Sequence, residues 1–195
     1  MSNLHKFYLV NMNLYKVQLL VDMLLLQSIY VPANTTGLML SAGSASVDFN
    51  LFDFAGSHIM GCDGFICAVP DIAEGLYFVQ VHLFEDIDVF HLASAWGGEG
   101  ISSVGKGVPL TGQSLAANQF LVQSLYVPVG TNSFSLDVSS ASDVGIEVLN
   151  EQGSLLTSCA PNIQCTIDSD EPGVKFIRIY AFENDVVDMS ILADW

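Results

Sequence analysis

From Gln27 onward the apolar residues fall into short runs that alternate with polar ones and are separated by turn residues, and the whole pattern is then written a second time. Ser28 to Pro32, Gly37 to Leu40, Val47 to Phe54, Cys67 to Val69, Leu76 to Phe84 and Val89 to Ala95 have the length and alternation of strands. Asn34-Thr35-Thr36, Ala42-Gly43-Ser44, Ala55-Gly56-Ser57 and Ala73-Glu74-Gly75 punctuate them. No stretch sustains helical spacing. The pattern therefore predicts an all-β chain of two tandem antiparallel β-sandwiches.

The second copy is recognisable residue by residue. Gln27–Pro32 (QSIYVP) returns as Gln123–Pro128 (QSLYVP), 123 − 27 = 96 residues later. The match continues through Ser44-Ala45-Ser46 with Ser140-Ala141-Ser142, Gly56-Ser57 with Gly153-Ser154, Cys62 with Cys159, and Gly75–Val81 with Gly173–Ile179. It closes on Trp96 and Trp195, at an offset of 195 − 96 = 99. A period near a hundred residues is the size of a small domain. The expected organisation is an extended arm or divergent first strand over 1–26, a first sandwich over 27–96, a Gly/Ser link over 97–103 and a second sandwich over 104–195. In the arm, Phe7, Leu9, Leu14, Val17, Leu19 and Leu20 alternate loosely with polar residues, without a counterpart of Gly107–Gly112. Two readings stay open for it: a first strand that has diverged, or an apolar segment that pairs with a neighbouring molecule by strand addition.

The best-defined strand assigns faces. Val79, Val81 and Leu83 share one parity, as do Ile177, Ile179 and Ala181 in the second copy, and these are expected in the cores. The opposite parity is aromatic and polar together. Phe78, His82 and Phe84, with Phe176, Tyr180 and Phe182, form a candidate contact face for a ligand, a neighbouring domain or another subunit; the alternative is a half-covered outer sheet face.

Composition narrows the partners. Charged residues make up 13% of the chain, against about 25% in an average domain, so its surface has few charges to solvate it. The formal net charge of −16 repels phosphate backbones and anionic head groups, which excludes nucleic acid as a partner. No uninterrupted apolar run reaches the roughly 18 residues of a membrane helix, since Asn11, Lys16 and Asp22 break up the nearest candidate, and no membrane insertion is expected. Lys6 is not followed by the apolar block and cleavage site of a signal peptide.

Four cysteines lie as two local pairs at equivalent places. A pair that recurs in each copy most simply bonds within it, giving Cys62 with Cys67 and Cys159 with Cys165 and implying an oxidising compartment. A single zinc held by all four sulfurs is the alternative, and the spacing disfavours it. The acidic turns Glu85, Asp86, Asp88 and Glu183, Asp185, Asp188 offer hard oxygen ligands for calcium, with a solvated turn as the alternative; no other cofactor is expected. The histidines do not recur, and no nucleophile elbow, His-Glu-x-x-His or phosphate loop is present, so the chain is expected not to be an enzyme. Asn34-Thr35-Thr36 is an N-glycosylation sequon.

Gly107–Gly112 (GVPLTG), Gln123–Gly130 (QSLYVPVG), the paired cysteines around a short loop, Gly173–Ile179 (GVKFIRI) and the aromatic close resemble the bacterial pre-peptidase C-terminal domain family, over residues 104 to 195 and again over 25 to 96. The resemblance implies small exported sandwiches of jelly-roll type, non-catalytic and usually appended to secreted peptidases, where they are associated with secretion and with binding polymeric substrates. The family's acidic Asp-Ala-Asp-Leu-Tyr strand stands here as Asp48–Phe52 (DFNLF) and Gly145–Leu149 (GIEVL), so its metal site does not carry over. No peptidase domain accompanies the pair. The expectation is an extracellular, self-assembling structural protein, a homo-oligomer forming a fibre or surface layer. The alternative is a secretion or substrate-binding appendage for polysaccharide or fibrous protein.

Overall fold

The structure, a computed structural model, describes residues 8–9, 23–43, 46–84, 90–168 and 171–195. All regular structure among them is β. The first half contributes β1 (Tyr8–Leu9), β2 (Met23–Val31), β3 (Gly37–Ala42), β4 (Val47–Asp53), β5 (His58–Asp63), β6 (Ile66–Pro70), β7 (Gly75–Leu83) and β8 (Leu92–Gly97). The second contributes β9 (Leu110–Leu115), β10 (Phe120–Val127), β11 (Ser133–Ser139), β12 (Val144–Asn150), β13 (Leu155–Cys159), β14 (Cys165–Asp168), β15 (Gly173–Ala181) and β16 (Val186–Asp194).

The duplication is visible in the strand order. In the first half, β1-β2-β7-β4-β5 faces β6-β3-β8; in the second, β10-β15-β12-β13 faces β14-β11-β16-β9. Strands β2, β7, β4 and β5 thus match β10, β15, β12 and β13, while β6, β3 and β8 match β14, β11 and β16. Neighbouring strands run antiparallel except β1, which lies parallel to β2 with Tyr8 opposite Leu25. Each half buries the predicted aliphatic parity. Val79, Val81 and Leu83 sit in the first core, and Ile177, Ile179 and Ala181 in the second.

Turn chemistry is duplicated as well. The Asp53 carboxylate accepts the Ser57 N–H at 2.7 Å, and the Asn150 amide oxygen accepts that of Ser154 at 2.8 Å. Gly56 and Gly153, at φ +83° and +80°, supply the left-handed residue that both of these turns require. Each half is stapled by its own disulfide. Cys62–Cys67 joins β5 to β6, and Cys159–Cys165 joins β13 to β14, so each bridge ties one sheet of its sandwich to the other.

Three strands have no counterpart in the sequence pattern. β5 and β13 are edge strands, each irregular in its register against β4 or β12, so their side chains lack clean alternation. β9 carries Gly112 at φ +72° and pairs irregularly with β16. β2 begins at Met23, four residues before the repeat becomes legible at Gln27.

The halves stack as four layers. The three-stranded sheet of the first half packs face to face on the β10-β15-β12-β13 sheet of the second, through a third apolar cluster containing Met39, Ala95, Phe120, Val122, Val174 and Phe176. This explains β3, which is buried along its whole length: Leu38 and Leu40 point into the first core while Met39 points into the second half. Close approach is achieved with glycine. A Cβ at Gly97 would stand 2.7 Å from Val174 Cγ1, and Gly37 lies against the Phe176 ring.

Candidate functional site

The aromatic parity of β15 builds the junction between the halves. Phe176 is 0% exposed, and Tyr180 packs on the same cluster. Tyr180 and Phe182 stack edge to face at 5.1 Å, with Phe182 reaching the exposed rim. At the centre lies Arg178. Its Nη1 donates to Glu147 Oε2 at 3.0 Å, its Nε donates to the Ser41 hydroxyl of the first half at 3.1 Å, and its guanidinium lies over the rings of Phe65, Phe120 and Tyr180. His91, just before β8, packs edge-on to Phe120 at 6.4 Å across the same junction, and burial lowers its pKa.

The equivalent face of the first half carries residues at equivalent register positions, most of them half-buried. By register, Leu24, Leu26 and Ser28 of β2 stand where Phe120, Val122 and Ser124 stand in β10. Leu76, Phe78, Gln80, His82 and Phe84 replace Val174, Phe176, Arg178, Tyr180 and Phe182. His82 and Phe84 repeat the edge-to-face pair at 4.3 Å, and Phe84 is 46% exposed. The Arg178–Glu147 ion pair becomes Gln80 opposite Asn50, whose oxygen lies 3.3 Å from His58 Nε2. Asp48 stands beside His82 on one side and Asp63 on the other. Partial burial, the Asp63 charge and a hydrogen bond with Asp63 raise the Asp48 pKa, while His82 opposes the rise.

A second feature lies along one side of the first sandwich. A groove of about 390 Å³ opens between the edges of β2 and β8, lined by Ile29, Leu40, Val79, Leu92, Ser94 and Trp96. The counterparts of the first five, Leu125, Leu136, Ile177, Ile191 and Ala193, are sealed in the second core, and Trp195, the counterpart of Trp96, is partly buried against it. There, Val104 pairs parallel with Leu125 and Lys106 with Ala193, so this segment bridges from β10 to β16, and Val104 and Leu115 are buried against the core. In the first half, Tyr8 lies opposite Leu25, four residues short of Ile29, the counterpart of Leu125. Among the described residues, no strand joins the outer edge of β8.

The remaining candidates are dispersed. Asp185 Oδ1 accepts the Ala117 N–H at 2.9 Å and so caps the β9–β10 turn, Asp188 takes a left-handed conformation at φ +54° within β16, and Glu183 is exposed. Among the described residues, no group of three His, Cys, Asp or Glu side chains is arranged to hold a metal. Glu85, Asp86 and Asp88 lie outside the described residues. No helix among the described residues is long and apolar enough to cross a membrane. Asn34 is exposed in the β2–β3 turn at φ +65°.

The Asp48–Asp63 pair and the β2–β8 groove were not singled out from the sequence. The carboxylates are fifteen residues apart in the chain (63 − 48 = 15) and meet only through the β4–β5 register. The groove lies where, among the described residues, the first half shows no counterpart of the Val104 bridge to the edge strand.

No family model and no curated protein matches this sequence. Among solved structures, a candidate secreted protein from Eubacterium rectale aligns at 9% identity over 88% of this chain and 68% of its own, with a TM-score of 0.29. A protein from Clostridium clariflavum containing an anti-sigma factor domain aligns at 9% identity over 84% of this chain and 76% of its own, with a TM-score of 0.26. Similarity at this level assigns neither a family nor a function.

Proposed function

We propose that this chain is a non-catalytic extracellular structural protein, built of two sandwiches like those of the pre-peptidase C-terminal family, that assembles with copies of itself into a fibre or layer. The contact is strand addition: the apolar N-terminal segment of one copy enters the β2–β8 groove of the next. The observation that carries this reading is the groove itself, an apolar seat whose twin in the second half is filled by Val104 and Leu115.

The chemistry of donor and seat agrees. An extended segment satisfies its backbone on the free edge of β8 and its side chains in the groove, the general logic of strand addition. In the sequence of the segment, Val17, Leu19 and Val21 share one parity and would present their side chains to one face. Each such side chain taken from water contributes about 1.5–3 kcal/mol before the cost of association. A segment donated head to tail does not close on itself, and open chains are the expected product. Two disulfides in a small all-β chain support an oxidising, extracellular setting.

The test uses Trp96, which lines the groove. A synthetic peptide of residues 10–22 added to the full chain is expected to compete with the donated segment, lowering the assembled mass in light scattering and shifting the tryptophan emission. A peptide from residues 108–119, whose seat is already filled, should do neither. If the 10–22 peptide leaves both mass and emission unchanged, the reading fails.

A further inference from the structure

We infer that Lys175 and Asn150 become joined covalently: the lysine amine displaces ammonia from the asparagine side-chain amide and leaves an isopeptide bond between β15 and β12. This goes beyond the proposed assembly and does not depend on it.

Lys175 stands on the core-facing parity of β15, in line with Ile177 and Ile179, and is 2% exposed. A buried ammonium is costly, and packing alone would favour an apolar residue there. In the first half the same position holds Tyr77, whose hydroxyl donates to the Ala73 carbonyl at 2.9 Å and brings no charge. Burial lowers the Lys175 pKa, with the charges of Glu151 and Glu171 opposing, so more of the amine is free of its proton than in a lysine in water. A desolvated lysine is a nucleophile.

The register supplies the electrophile. Lys175 lies directly opposite Asn150 of β12, as Ile177 lies opposite Val148, so both side chains leave the sheet on one face. Directly opposed residues have Cβ atoms about 4.5–5.5 Å apart, within the reach of a lysine side chain. The Asn150 amide is also prepared for attack. Its oxygen accepts the Gln152 N–H at 3.1 Å and the Ser154 N–H at 2.8 Å. Two backbone donors on one amide oxygen polarise it and stabilise the negative charge that grows there when an amine adds to the carbon. The next residue, Glu151, whose charge acts on Lys175, is the proton carrier.

The step balances. Lys175 Nζ bonds to Asn150 Cγ, Glu151 takes the proton that Nζ loses and passes it to Nδ2, the Cγ–Nδ2 bond breaks, and ammonia leaves. No oxidant or cofactor is consumed. The first half carries an internal control, since Asp53 forms the same turn but Tyr77 opposite it offers no amine.

The test is the intact mass of the full-length protein, corrected for its two disulfides. After the folded protein is incubated at mildly alkaline pH, the mass should fall short of the sequence value by about 17 Da, the ammonia released. Digestion should then yield one branched peptide joining the Asn150 and Lys175 segments. Lys175→Met, which places an apolar chain at the buried position, should keep its full mass. A full-length protein that keeps the sequence mass overturns the inference and leaves the strand contact untouched. So does a shortfall that persists in Lys175→Met, since a succinimide at another asparagine releases the same ammonia.

Discussion

Arg178 of the second half donates to the Ser41 hydroxyl of the first, and the residue that replaces Arg178 in the first half is Gln80. The duplicated face thus carries a cation at this position in the second half, where the first half covers it. With side chains 12% and 25% exposed, Arg178 and Glu147 form a mostly buried pair, and removing one partner strands the other. Arg178→Ala is expected to lower unfolding stability by about 2–3 kcal/mol, and Ser41→Ala by about 1 kcal/mol, read from denaturant midpoints. Equal losses would show that the ring contacts and the ion pair contribute nothing beyond the single hydroxyl bond.

Each disulfide closes a short loop, for which the chain-entropy estimate is about 2 kcal/mol. Because the two lie in separate halves, replacing Cys62 and Cys67 by Ala, or Cys159 and Cys165, should cost about that much each and nearly add when combined. Calorimetry of the two double variants and the quadruple variant checks this.

Asp48 titrates above its ordinary value because of partial burial and the adjacent Asp63. A carboxyl whose pKa is raised on folding contributes stability that is fully present below its unfolded value, near 3.8, and lost as pH rises through the folded value. Asp48→Asn should therefore flatten the decline in stability as pH rises from about 4. At neutral pH it should not destabilise the fold. Parallel denaturation of both proteins across this range provides the comparison.

His91 behaves in the opposite sense. Burial beside Phe120 depresses its pKa below 6.5. Its contribution is therefore complete above 6.5 and lost as pH falls through the folded value, because the unfolded chain takes up the proton more readily. His91→Phe, which keeps a ring at the junction, should remove that acid-side decline, as followed by hydrogen exchange in β8 and β10.

Much of this architecture is legible in the sequence because strand alternation and turn residues were copied together. QSIYVP and QSLYVP locate β2 and β10, and the parity of Val79 and Ile177 orients β7 and β15 correctly. The stacking of the halves is harder to see. Phe78 and Phe176 occupy identical patterns, and what separates them is the cover supplied by distant small residues. A signal was available in Gly37–Ala42, where both parities are small or apolar, as expected of a strand covered on two faces. The groove is written only as a difference: Val104 and Lys106 close the edge of the second sandwich just before Gly107–Gly112, a motif that nothing in residues 1–26 repeats.

The mass of the full-length protein against concentration, compared with Ser94→Asp by sedimentation velocity, bears on self-assembly more directly than any other observation. The full chain should grow without reaching a plateau, while Ser94→Asp, which places a charge in the groove, should not form open chains. A full-length protein that stays a single chain throughout would contradict the account.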